Sequence, residues 1–190
     1  FGWYTYTSSY DVFDVFTVGA LVVKFWNCIG VTDSTNTTSD AFYFNDVDAS
    51  VYCFNCTGIA NAGRAFRSDF STAPAVLKNC LGYSASNSAF SGTFTSVTYS
   101  SSDDGTADDW AGAGNRIDQT FSFADAANDD FHLAASDAGA REYGTSLVAD
   151  AIIPFSLDID GDPRPIGAIW DIGADETQMP GVGSFIGMEY

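Results

Sequence analysis

The chain has 190 residues, 46% of them hydrophobic, enough for one continuous core, and it sets 7 Lys plus Arg against 25 Asp plus Glu for a formal charge of −18. That balance excludes nucleic acid, which is held by basic side chains on phosphates, and an anionic membrane surface. It suits a virion surface or a secreted, extracellular setting, and the surplus of oxygen ligands makes Ca2+ a candidate cofactor.

The chain opens on Phe1 rather than Met, so it reads as a processed product or a fragment without a visible signal peptide. Residues 1–18, with "WYTYTSSYDVFDVFTV" at 3–18, are expected to form an irregular first coil or a truncated end. The apolar stretch from Val18 to Ile29 contains Lys24 and Asn27 and is too short to span a bilayer, so no membrane insertion is expected.

Three segments then repeat: "FWNCIGV" (25–31), "CFNCTGI" (53–59) and "LKNCLGY" (77–83). Their asparagines, Asn27, Asn55 and Asn79, are spaced 28 and 24 residues apart, and Phe42, Phe66 and Phe90 follow at spacings of 24 and 24. The four extra residues of the first unit fall in the polar loop "DSTNTTS" (33–39), where a repeat protein accepts insertions. Each unit holds short runs of Val, Phe, Tyr, Cys and Ile broken by Gly, Asn, Ser and Asp, which are strand and turn signals. A unit of about 24 residues fits two or three strands of about 5 residues plus turns, stacked in parallel about 4.8 Å apart.

Stacking gives the repeated residues a reason. Val23, Val51 and Ala75 align, as do Phe25, Cys53 and Leu77, and these point inward. Lys24, Tyr52 and Val76, with Trp26, Phe54 and Lys78, point outward. The asparagines form a ladder at a turn, Cys28, Cys56 and Cys80 a small apolar column, and Phe42, Phe66 and Phe90 an aromatic one. The four cysteines, with Cys53, permit disulfides between neighbouring coils, but side chains stacked in one direction suit disulfide torsion poorly, so free buried thiols are favoured.

This repeat resembles the right-handed parallel β-helix of the pectate-lyase-like superfamily, over roughly residues 18–100. The resemblance implies an all-β fold, a β-solenoid of four to five visible coils with an irregular C-terminal cap. The expected organisation is coils over 1–118, ending in an acidic loop at 100–118, a capping segment over 119–176 and a tail over 177–190.

The acidic loop "SSSDDGTADDWAGAGN" (100–115) carries Asp103, Asp104, Asp108 and Asp109. β-Helix glycosidases use paired carboxylates, but on exposed strand faces; these four read as a solvated loop. Beyond it come "DFHL" (130–133), Ser136 to Gly139, Asp158, Asp160, Gly161, Arg164 and Pro165, then Asp171, Ile172, Gly173, Ala174 and Glu176. This ordered set resembles the C-terminal signature of secreted or phage-encoded β-helix proteins, in which the segment closes the solenoid. The charges agree, since Arg164 stands between Asp160/Asp162 and Asp171 and a guanidinium bridges carboxylates bidentately. Arg164, Asp171 and Glu176 are therefore expected to fasten the cap. Asp158, Asp160 and Asp162 form D-x-D-x-D and are the candidate Ca2+ ligands, although Gly161 is misplaced for an EF-hand loop. His132, the one histidine, reads as a hydrogen-bonded structural residue.

Trp26, Tyr52 and Phe54 are the candidate glycan-binding patch, with packing against another subunit as the competing role. The first functional expectation is a non-enzymatic surface protein, a phage virion component of decoration, fibre or spike type that binds glycans. Its partners would be other virion subunits or surface glycans, and the resemblance to phage spikes implies a homotrimer. The alternatives are a polysaccharide lyase or glycosidase, and a bacterial surface-anchored adhesin; the first rests mainly on fold, which does not determine function.

Overall fold

The computed structural model describes residues 3–6, 11–16, 20–45, 49–69 and 75–177. The expected tail lies outside the described residues except for Thr177, as does much of 1–18.

The chain winds through short strands in repeating threes. They are β1 (Trp3–Tyr6), β2 (Phe13–Val15) and β3 (Val22–Trp26); β4 (Ile29–Thr32), β5 (Phe42–Phe44) and β6 (Ser50–Phe54); β7 (Thr57–Ala60), β8 (Phe66–Ser68) and β9 (Ala75–Lys78); β10 (Leu81–Ser84), β11 (Phe90–Gly92) and β12 (Ser96–Thr98); and finally β13 (Ser101–Ser102). Strands three apart pair in parallel, giving sheets β1-β4-β7-β10-β13, β2-β5-β8-β11 and β3-β6-β9-β12. This is an all-β solenoid of about three turns with about 24 residues per turn, fewer turns than the four to five expected.

The register follows the sequence repeat. Val23 pairs with Val51 and Val51 with Ala75, while Phe25 pairs with Cys53 and Cys53 with Leu77. Phe42, Phe66 and Phe90 stack with ring centroids 4.8 and 5.2 Å apart, and Phe13 extends the stack at 4.7 Å. Cys53, Cys56 and Cys80 are buried in the same core, Cys28 is partly buried beside it, and all four thiols are free.

Asn27, Asn55 and Asn79 adopt φ of 50°, 48° and 51°, the left-handed conformation that Asn tolerates better than other side chains. This one residue bends the chain from the third strand of a coil into the first strand of the next. Tyr99, at φ 49°, makes the same bend in the last coil, without the asparagine. Two residues into the following strand, Gly30, Gly58 and Gly82 meet the stacked rings; a Cβ on Gly82 would lie 2.8 Å from the Phe90 ring. The Asn-Cys-x-Gly motif and the phenylalanine column are thus two halves of one packing unit.

The acidic loop is solvated in part: Asp108 and Asp109 are exposed as expected, while Asp103 and Asp104 are half-buried. Ala107 is fully buried in the solenoid core, and Trp110 packs edge-on to Phe94 at 4.8 Å. Val97 and Tyr99 donate backbone hydrogen bonds to Ala111 and Ala113, so residues 103–116 close the end of the solenoid as an irregular last coil. Asp103 accepts the Ser84 N–H, and Asp104 accepts those of Ala89 and Thr106.

The C-terminal segment, expected to plug that end, instead runs along the side of the coils. After the antiparallel pair β14 (Phe123–Asp125) and β15 (Asp130–Leu133), it covers the outer face of the first sheet. Ile29, Val31, Ile59 and Leu81 are buried there against Leu133, Ala140, Ile159, Ile172 and Ala174. A second contact buries Phe54 under Leu147, Ile153 and Trp170. Burying side chains of this size stabilises by roughly 1.5–3 kcal/mol each, so this strap is an integral part of the core. No helix among the described residues is long and apolar enough to cross a membrane.

Candidate functional site

The asparagine ladder fastens the strap. Asn79 Nδ2 donates to Asn55 Oδ1 at 3.0 Å, the one rung of the expected ladder that forms among the described residues, since Asn55 turns its own amide to the strap and Asn27 Oδ1 accepts no hydrogen bond from them. The remaining amide capacity goes to the strap: Asn79 to the Thr145 carbonyl at 2.7 Å, Asn55 to that of Gly173 at 3.2 Å and Asn27 to that of Leu157 at 2.7 Å. Gly173 carries φ 105°, and a Cβ there would come within 2.7 Å of Thr57 Oγ1, so glycine lets the strap lie flat on the coil.

Within the strap, Arg164 is fully buried and its Nη1 donates to Glu176 Oε2 at 2.9 Å. Its other bonds go to the carbonyls of Asp171 and Gly173, at 3.2 and 3.0 Å. The expected Arg164–Asp171 carboxylate bridge is replaced by this carbonyl contact. Asp171 uses its carboxylate on the Glu142 and Thr177 N–H groups and the Thr177 hydroxyl. Burial pushes the Glu176 carboxyl up to about 7, against the pull of Arg164.

The D-x-D-x-D triplet does not gather as a Ca2+ loop. Asp158 is buried and folds its Oδ1 onto the N–H groups of Asp160 and Asp162, at 3.0 and 2.8 Å, and its Oδ2 onto that of Glu176. It shapes a turn that points Asp160 elsewhere, to His132 Nε2 at 3.1 Å. That contact borders a cleft of about 450 Å³ lined by Asp130, His132, Asp160, Asp162, Asp175 and Glu176, among others. The His132 Nδ1 stands 2.6 Å from Asp130 Oδ1, two residues back on the same face of β15. Burial pulls the imidazole down, but Asp130, Asp175 and Asp160 outweigh it and leave it raised. Burial pushes Asp175 up to about 6, against His132 and the Leu133 N–H. Asp175 was not among the residues singled out in the sequence; the pairing of Asp130 with His132 was the available signal.

The aromatic patch is divided. Trp26 is 49% exposed, Tyr52 is half-buried, and Phe54 points outward from its strand but is covered completely by the strap. Trp26 lies instead on a groove of about 510 Å³ between β3 and the strap, with Lys24, Asn27, Phe155, Ser156 and Leu157 among its lining residues. No protein-family model, no curated protein and no solved structure matches this chain.

Proposed function

We propose that the chain is a non-enzymatic surface module, of the kind a phage virion displays as a decoration, fibre or spike component. The observation that carries this is the use of its carboxylates. Asp103, Asp104, Asp137, Asp150, Asp158 and Asp171 all accept backbone N–H groups that hold turns and the strap. A carboxylate committed to a backbone donor is poorly placed to protonate a leaving group or to abstract a proton. The acidic surface favours a module that stays apart from its like until presented. Membership of the pectate-lyase-like superfamily, and kinship with secreted or phage-encoded proteins through the C-terminal signature, rest on the motifs quoted above and belong to this proposal.

The partner is a surface glycan, bound in the groove beside Trp26. An exposed indole offers an apolar face to sugar C–H groups, and Lys24 and Ser156 supply polar neighbours. Titrating acidic and neutral oligosaccharides should change Trp fluorescence in the wild-type chain and leave W26A silent, with no product released from any polysaccharide. Product release would establish a lyase or glycosidase instead. A wild-type chain that binds no glycan, with virion subunits as its only partners, would remove the glycan role alone.

A further inference from the structure

The cleft on the strap holds a set of side chains that the surface role leaves unused. We propose that His132 Nε2, Asp160 and Asp175 form a binding site for a first-row divalent cation, Zn2+ above the others.

One ligand atom from each of the three lies within 4.8 Å of the other two. Nε2 and the Asp160 oxygen are 3.1 Å apart, about the separation of two ligands on one tetrahedral zinc. The His132 and Asp160 side chains are 26% and 53% exposed, which leaves them room to close on an ion. The imidazole is oriented for this. When Nδ1–H is donated to Asp130, the neutral tautomer turns its Nε2 lone pair toward Asp160 and Asp175. A carboxylate behind the histidine in this way fixes the ring and raises its basicity as a ligand.

Asp175 points to a cation independently. It is only 6% exposed, and among the described residues no Lys or Arg comes within ion-pairing distance of it. The Leu133 N–H, at 2.8 Å, occupies one of its two oxygens and leaves the other to the cleft. A buried carboxylate without a direct ion pair to Lys or Arg is costly, and Asp130, Asp160 and Asp162 add negative charge around the same cleft. A bound dication offsets that charge. One imidazole nitrogen with two carboxylates favours Zn2+ over Ca2+, which takes oxygen ligands. The ion would join β15, the turn at 158–162 and the segment at 170–177, and so clamp the strap to itself.

The test uses the full chain, stripped with EDTA and titrated with ZnCl2, MnCl2 or CaCl2 by calorimetry and thermal melting. The expected result is one Zn2+ per chain with a raised Tm, a weaker response to Mn2+ and none to Ca2+. H132Q and D175N should each abolish zinc uptake, while D130N, which keeps all three ligands, should weaken it by about 10- to 100-fold. Should H132Q fail to fold, the ring nitrogen shift of labelled wild-type His132 on adding zinc reports the same ligand. Zinc bound equally by H132Q would show that His132 is no ligand and overturn the site. So would a wild-type chain that ignores zinc, responds only to Ca2+, or merely melts earlier as the pH rises through the imidazole range, which is the signature of His132 acting as an imidazolium between Asp130 and Asp160.

Discussion

Asn55 does three things with one side chain. It holds φ at 48°, accepts from Asn79 and donates to the Gly173 carbonyl of the strap. N55A should therefore lose the left-handed preference and leave buried partners unpaired, costing about 2–4 kcal/mol. N55G keeps the bend and loses the hydrogen bonds alone, so denaturant titration should place it between N55A and wild type. The second of these roles was legible in the sequence, because Asn recurs at one point of each unit and stacked amides bond one another. The last was not, since Gly173 lies 118 residues away and nothing local announces it. Tyr99 is the converse case: the backbone repeats the bend at φ 49° while the residue type changes, so residue identity does not mark the last bend. Asp175 was missed for a related reason, since one carboxylate acquires a meaning only when folding brings β15 beside it.

At the scale of elements, the strap depends on the Arg164–Glu176 pair, both side chains almost wholly buried. R164A would leave Glu176 buried without its cation, a loss of about 3–5 kcal/mol, whereas removing both charges in R164M/E176L should recover much of that deficit. The ordering R164A below the double variant, read from urea midpoints, is the expected outcome; equal destabilisation would mean that carbonyl contacts rather than the pair hold the strap. The pairing of Arg164 with Glu176 could be anticipated from charge and spacing. Its location could not, because a segment with irregular backbone carries no periodicity to say which face of the solenoid it covers. The outward rows Ile29/Thr57/Leu81 and Val31/Ile59/Tyr83 were the signal: an apolar row on the outside of a coil needs a cover, and the strap is that cover. The same omission explains Phe54, read as a surface aromatic from its outward position in the strand and in fact sealed beneath Leu147 and Trp170.

The whole molecule carries −18, and its solenoid and strap bury many carboxylates together. The coil architecture was legible because burial against identical neighbours imposes a period; the fate of the charge was not, because it depends on which acids the strap and last coil enclose. Burial raises Asp103 to about 6, and it also raises Asp40, Asp158 and Asp171 from their ordinary values. For Asp103 the sign follows directly. Between its ordinary 3.8 and about 6, the folded chain keeps a proton that the unfolded chain has released. Stability therefore falls as the pH rises through that window. Repulsion within the acidic chain grows in the same direction. Asp130 and Asp150 oppose this at the acid end: contact with His132 lowers the first, and Lys78 with backbone donors lowers the second against burial. Their contribution is present at neutral pH and lost as the pH falls through their depressed values. The two trends place the highest Tm near about pH 4, with a decline toward pH 7.5 and a collapse in strong acid. Melting curves in EDTA-containing buffers across this range test it, and D103N, which preserves an acceptor for the Ser84 N–H, should flatten the slope between about pH 4 and 6. A Tm that climbs steadily from pH 5 to 7.5 would show instead that the buried carboxylates are ionised and paired in the folded chain.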